Sequence, residues 1–531
     1  MYDTFWTQTP LDMAEYSDVP LSPRPPLDEQ YYGFFPAKYV TSYLEKYVDS
    51  HFYDDRSIRD RIRFNTKVIN VSKTSSGVGP GWKLKIQRSY NNELGPPGLP
   101  LELCTKKLID ATGLTSSPNI PSLPGQDKFQ GLAIHHKSFG QHERAILDDP
   151  KNQNICVVGG GKSAADVAYA CAKAGKVVSW VIKDDGNGPA AFLSVQGRKG
   201  YENSSYAFYT RFTSMFLPCV FHPLGWCYDW LHRSKLGLWV LRKVWDGVDQ
   251  GYRKTAGFKT GRGQGMGFDE LEPDTSAGIN QRADFFATIA ERVHVYRRNI
   301  DNLSEHGITF APKGTTDDSK PVEIPADAIV YCTGWSTVSS IFSEEMSSYL
   351  GLRVRLDEKS ASFPSKWTDL ELAAEADVIA RFPMLAQTPP HYRSEPSQSP
   401  FRLYKCIAPL SDARDRSIVC LGKLIVGNNF MAAEVQALWA VAYLDGEVQC
   451  KKDAMAGDIA KTVAWNRRRY LNKGQLGSYF FFDSVAYTDM LLGQLGLSSH
   501  RPSGFWANLH ETCFLSKFGS LLNEYKSLRQ S

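Results

Sequence analysis

An α/β fold organised around a Rossmann-like dinucleotide-binding unit is the class this sequence predicts, and three observations predict it. The apolar run Ile155-Cys156-Val157-Val158 stops at Gly159-Gly160-Gly161, and a helix-forming stretch follows at 164–174. A second apolar run, Val177-Val178-Ser179-Trp180-Val181-Ile182, supplies the next strand. A strand ending in Thr-Gly occurs twice, at 107–113 and at 328–334. The spacing of Gly159, Gly161 and Ala164 is the G-x-G-x-x-A form of the dinucleotide fingerprint. Glycine lets a backbone approach a pyrophosphate closely because no β-carbon intervenes. The helix that follows aims its free N–H groups at the phosphates. A plain glycine turn between strand and helix is the alternative; the legible strand before and helix after favour the fingerprint.

At 531 residues the chain is too long for one core, so two or three domains are expected. A 42% hydrophobic and 22% charged composition is that of a soluble globular protein. The net charge of +4 is too small for an electrostatic nucleic-acid binder, so no nucleic-acid partner is expected. Ten cysteines lack zinc spacing and a dense disulfide pattern, which points to reduced thiols and a cytoplasmic location. Met1-Tyr2-Asp3-Thr4-Phe5 has no signal-peptide character. Neither H-E-x-x-H nor G-x-S-x-G occurs, so no metal and no serine nucleophile are expected.

In chain order, Pro20-Leu21-Ser22-Pro23-Arg24-Pro25-Pro26 must be an extended loop. A helix is expected over 37–52, with Val40, Tyr43, Leu44, Tyr47 and Val48 on one face. Strands are expected at 62–71 and 82–86. The nucleotide unit runs from Asn154 to about Lys183, and 184–275 is a long insertion. Its aromatic stretch, 208–252, carries Trp226, Trp230, Trp239 and Trp245. It reads as a buried helical insertion that shields a pocket; an interfacial membrane surface is the less favoured reading, since only aromatic content supports it. The glycine-rich 261–267 has no strand before it and reads as a loop. Strands resume at 293–296, 307–310 and 328–334, then at 418–422, before a helix over 432–444. The insertion and the proline-rich 382–400 are expected to shape the substrate pocket.

Phe129-x-Gly131-x-x-x-His135-x-x-x-Phe139 stands just before the nucleotide strand. With the G-x-G-x-x-A turn it resembles the flavin-containing monooxygenase family, fungal type, over most of the chain. Trp6-Thr7-Gln8-Thr9-Pro10, Glu15 to Pro20, Phe35-Pro36, Tyr43-Leu44 and Glu434-Val435-Gln436-Ala437-Leu438-Trp439 continue the likeness. The resemblance implies a two-dinucleotide-binding-domain flavoprotein architecture. The NADPH domain, 151–335, would be inserted in a larger FAD-type domain made of 1–150 and 336–531. Thr112-Gly113 and Thr333-Gly334 resemble the hinges between the two. The family's first strand–G-x-G-x-x-G–helix unit, which holds the ADP half of FAD, needs about 30 residues and does not fit before Trp6. The FAD domain is therefore expected to be N-terminally incomplete in this chain: either the true start lies upstream, the favoured reading, or the chain is a shortened relative.

The implied reaction uses NADPH, FAD and O2. NADPH reduces the flavin, a C4a-hydroperoxyflavin forms, and this oxygenates a soft nitrogen or sulfur of a small organic molecule. Gly159, Gly161, Ser163 and Ala164 would shape the pyrophosphate turn. Lys183, at the end of the second strand, would meet the 2′-phosphate of NADPH, where NAD enzymes place a carboxylate. Gln8 stands where the family usually has Asn against flavin and nicotinamide. His135 has a positioning role near the inter-domain cleft and is not read as a base. Gln436 would place its amide toward the flavin's N1–C2=O edge; its helix also reads as a core helix with Val435, Leu438, Trp439 and Ala442 facing in, and the two readings are compatible. Phe139, where Baeyer–Villiger relatives carry Trp, favours nitrogen or sulfur oxidation. A Baeyer–Villiger or other flavin oxidoreductase, and an NADP-binding relative without FAD, remain alternatives.

Overall fold

The apolar run that precedes Gly159 folds as the middle strand of a parallel sheet. The computed structural model describes residues 5–74, 81–88, 100–183, 195–223, 225–256, 282–312, 322–356, 366–388, 396–501 and 504–530. Helix α1 (Lys38–Ser50) turns Tyr43 inward, where its hydroxyl donates to Val19 O (2.8 Å) and accepts from Tyr16 N (2.7 Å). That tyrosine pins the loop on which the N-terminal segment rides. Strand β1 (Thr66–Lys73) starts later than the expected 62, because Ser57 and Asp60 close a capping box and wind Ile58–Arg61 into a helical turn. It pairs with β2 (Trp82–Arg88), which pairs with β3 (Leu101–Thr105), all antiparallel. Strand β4 (Leu108–Asp110) ends at the first Thr-Gly.

The parallel sheet contains β5 (Leu132–His135), β6 (Asn154–Val158), β7 (Val177–Ile182), β8 (Val293–Arg297) and β9 (Ala328–Tyr331) in the spatial order β8-β7-β6-β9-β5. Every neighbouring pair is parallel. Because β5 closes one edge, and Phe139 and Ile146 of α2 (Phe139–Leu147) join the same core, the sheet draws on residues upstream of 151. Helix α3 (Lys162–Lys173) and the helix Phe285–Arg292 cover one face. Ala164, Ala165, Ala168 and Ala172 keep α3 slim enough to lie close to the strands. An antiparallel meander, Ile300–Leu303, Gly307–Phe310 and Val322–Pro325, covers the other face with Leu303, Ile308 and Phe310.

The aromatic stretch corrects the expectation of a buried insertion. Helices α4 (Trp226–Arg233) and α5 (Lys235–Ala256) bury Tyr228, Leu231 and Leu241 but leave Trp226, Trp230 and Trp239 in solvent. The loop 261–267 lies outside the described residues. No described helix is long and apolar enough to cross a membrane. Downstream, β10 (Ile418–Cys420) lies parallel to β4. Helices α6 (Asn429–Leu444), α7 (Lys452–Gly474) and α8 (Ser484–Gln494) surround a second core with Trp439, Tyr443, Trp465 and Tyr487 at its centre. Helix α6 starts earlier than the expected 432, because Asn428 caps it by accepting from Met431 N (3.3 Å). All ten cysteines are unpaired.

Candidate functional site

Strand order reverses between β6 and β9, so a crevice opens at their carboxyl ends, the place where open α/β sheets bind ligands. The glycine turn sits there. Gly159 has φ +132°, donates to Val181 O (2.9 Å) and accepts from Trp180 Nε1 (2.6 Å). Gly161 is the N-cap of α3, and a β-carbon on it would meet open space. Ser163 follows, half-buried in the first turn, and Ala164 is fully buried beneath it. The open N-terminus of α3 presents unsatisfied N–H groups toward the crevice.

The N-terminal segment is tied to this turn. Lys162 donates from Nζ to Trp6 O (2.8 Å), pairs with Asp166 one turn on, and lies over the Phe5 ring. Thr7 N donates to Phe35 O (2.9 Å), and Phe35 N donates to Thr7 Oγ1 (3.3 Å). These bonds carry half-buried Gln8 to the nucleotide-turn side of the molecule.

His135 is buried at the end of β5. Its Nε2 lies 2.9 Å from Gly334 O, and its Nδ1 accepts from Lys137 N (3.2 Å). Only the neutral Nε2–H tautomer serves both bonds. The ring therefore latches β5 to the second hinge, where Thr333 Oγ1 also donates to Asn119 O and Gly334 takes φ +81°. Phe129 and Gly131 explain their places similarly: a β-carbon on Gly131 would strike the Phe129 ring (2.6 Å). Burial lowers the pKa of His135 and drives those of His136 and His232 down to about 4. The unfolded chain protonates His136 and His232 near pH 6.5, the folded chain only near 4. Stability is thus full above about pH 6.5 and drains away as pH falls toward 4. Urea unfolding at about pH 5 is expected to show roughly 4 kcal/mol less stability than at about pH 7.5, about 2 from each of these two histidines, and His136→Gln/His232→Gln to flatten that slope.

The first hinge carries an ion pair that no local pattern announces. Lys423, just beyond β10, is buried and places Nζ 3.1 Å from Asp110 Oδ2, 2.7 Å from Thr112 Oγ1 and 3.3 Å from Gly113 O. The ammonium donates to the hydroxyl and the carbonyl, and its contact with Asp110 Oδ2 is a charge pairing with no hydrogen bond. Gly113 (φ +65°) and Gly422 (φ +67°) face each other, a β-carbon on Gly422 standing 3.5 Å from Gly113 Cα. A β-carbon on Gly113 itself would meet open space, as expected of a backbone cradle. Gln436 lies deep in α6, where its amide donates to Tyr487 Oη (2.7 Å), which donates onward to Lys405 O (2.7 Å). With Val435, Leu438, Trp439 and Ala442 also buried, this is the core-helix arrangement, since an amide at that depth needs a partner.

Lys183 is exposed immediately after β7. Beside it, in register, β8 ends at Arg297, and Arg298 N donates to Ile182 O (3.2 Å). Three cations thus stand at the carboxyl ends of two adjacent strands. Sequence reasoning found Lys183 alone, because the insertion separates Arg297 from it by more than a hundred positions. Arg282 lies over both the Trp6 and Tyr169 rings, on the same side as the glycine turn.

Residues 101–194 match the family model for pyridine nucleotide-disulphide oxidoreductases. The chain is 30% identical over 545 residues to the FAD-dependent monooxygenase DEP4 of Alternaria brassicicola, covering 100% of this chain and 88% of that one. It is 30% identical over 529 residues to the FAD-dependent monooxygenase rstn6 of Aspergillus nomiae, covering 94% and 85%. Among solved structures, an oxidised steroid monooxygenase bound to NADP is similar in fold, with TM-score 0.50 at 16% identity over 100% of this chain and 89% of that one.

Proposed function

The chain belongs to the FAD-dependent monooxygenases, and from that premise we propose that it transfers one oxygen atom of O2 to a soft nitrogen or sulfur centre of a small organic molecule. FAD and NADPH are its cofactors, and bound FAD supplies the oxygen-activating chemistry. The residues present fit both groups. Gly159–Gly161 and the N-terminus of α3 hold the NADPH pyrophosphate. Lys183, Arg297 and Arg298 hold its 2′-phosphate through charge-assisted hydrogen bonds. Thr112, Gly113, Gly422 and Lys423 line the FAD side at the carboxyl ends of β4 and β10. Gln8 orients the nicotinamide against the flavin with its amide. His135 fixes the second hinge, so the two cofactors meet in one geometry. The two Thr-Gly turns, at 112–113 and 333–334, bracket the parallel sheet, β5 included, so the NADPH domain is drawn between them and not from 151.

The observation that carries the choice of nitrogen or sulfur over a carbonyl is Phe139. It is fully buried and packs on Phe5 with ring centroids 5.8 Å apart, where Baeyer–Villiger relatives carry Trp. Purified protein supplied with FAD, NADPH and O2 is expected to turn a tertiary amine or thioether into its N-oxide or sulfoxide and to leave a cyclic ketone unchanged. A lactone as the sole product would replace this reading with the Baeyer–Villiger one. Arg297→Ala is expected to raise KM for NADPH about tenfold to 100-fold with kcat unchanged, and to leave KM for NADH alone. Equal effects on both coenzymes would remove the 2′-phosphate role.

A further inference from the structure

The aromatic helices that sequence reasoning places inside the protein carry an outward face that the proposed chemistry does not use. Trp226 is 84% exposed, and Trp230, one turn further along α4, is 44% exposed. On α5, Leu236 is 59% and Trp239 57% exposed. Single exposed apolar residues are ordinary; four on one two-helix unit are not. The unit is not loose. Tyr228 and Leu231 are buried, Tyr228 Oη donates to Leu217 O (2.8 Å), and Trp245 Nε1 donates to Phe216 O (3.0 Å). Gly237 lets the first turn of α5 press on the end of α4: a β-carbon there would stand 2.5 Å from Trp230 O. The start of α5 is thereby held tightly against the end of α4.

Cations border this face. Arg233 lies one turn beyond Trp230; Lys235, Arg242 and Lys243 flank Leu236 and Trp239. All four are exposed, and none has a carboxylate partner among the described residues; the acids of the two helices are exposed Asp246 and half-buried Asp229 and Asp249. Tryptophan and leucine rimmed by free lysine and arginine is the pattern of a helix lying in a membrane interface. No described helix is long and apolar enough to cross a membrane. A second copy fits the face poorly, because a two-fold contact would set the same unpaired cations against each other.

The geometry points to α4 and α5 as a docking surface for a lipid bilayer that carries anionic headgroups, with Trp226, Trp230, Leu236 and Trp239 seated at the acyl boundary and Arg233, Lys235, Arg242 and Lys243 on the headgroups. This does not depend on the proposed reaction. The test is co-sedimentation of the full-length protein with vesicles of phosphatidylcholine alone and of phosphatidylcholine mixed with phosphatidylserine, with quenching of tryptophan emission by brominated lipid as a second readout. Binding is expected to favour the anionic vesicles. Arg242→Glu/Lys243→Glu should weaken it roughly 25-fold or more, from the loss of two headgroup-attracted cations. Trp226→Ala/Trp239→Ala should remove most of the lipid quenching, leaving at most that of Trp230. These side chains are solvent-exposed, so both variants are expected to keep the parent's thermal midpoint and NADPH affinity. Absence of binding, equal binding to both vesicle types, or a concentration-dependent dimer in lipid-free buffer that Trp226→Ala/Trp239→Ala dissociates would each overturn the assignment.

Discussion

Gly161→Val is expected to leave the protein folded and to weaken NADPH binding about tenfold to 100-fold, whereas Gly159→Ala is expected to unfold more easily before coenzyme enters the question. The two glycines stand two residues apart and differ in what surrounds them. A β-carbon on Gly161 meets no atom within 4 Å, and its φ of −89° with ψ −173° suits any residue. A valine there projects only into the space above the turn, where the pyrophosphate must approach. Gly159 has φ +132° and lies against the end of β9, where a β-carbon would stand 2.8 Å from the carbonyl carbon of Cys332. Both strain and overpacking act there, for a cost of about 2–4 kcal/mol. Urea unfolding separates the two variants, and titration of protein fluorescence with NADPH reads the first. A Gly161→Val protein that keeps the parent's affinity would take the coenzyme away from this turn.

Lys423→Met is expected to destabilise the fold by about 3–5 kcal/mol, because it leaves Asp110 charged, buried and unpaired. Lys423 and Asp110 side chains are 6% and 1% exposed, so solvent does little to soften the loss. Asp110→Leu paired with Lys423→Met should recover most of that stability, since removing both charges also removes their desolvation cost. The same double variant should still bind FAD less tightly if the ammonium meets the cofactor, which separates a purely structural pair from one that also serves the site. Urea midpoints and FAD titration of apoprotein measure the two effects independently. A single variant as stable as the parent would show that the pair carries no net load at this hinge.

Local pattern made much of the site legible. Ile155 to Val158, the glycines and the alanine-rich helix are contiguous, and each reports its own secondary structure through period and turn chemistry. The strand at 177–182 lies where its apolar run stands. Boundaries moved where a side chain capped a backbone, at Ser57–Asp60 and at Asn428. The aromatic insertion misled because aromatic content does not tell which face turns inward; packing of Tyr228 against the core, with Leu231 buried beside it on α4, decides that. Gln436 was ambiguous for the same reason, until Tyr487 supplied its partner from another helix.

What the sequence by itself determined is the glycine turn and the alternation of strands and helices around it, since these rest on interactions between near neighbours in the chain. Tertiary structure alone decided which distant residues meet: Lys423 with Asp110, Arg297 beside Lys183, His135 on Gly334, and Lys162 on Trp6. The physical reason is that burial and parallel pairing choose partners by position in space. A buried charge or amide must find a counterpart wherever the folded chain delivers one, and no spacing along the sequence records that encounter.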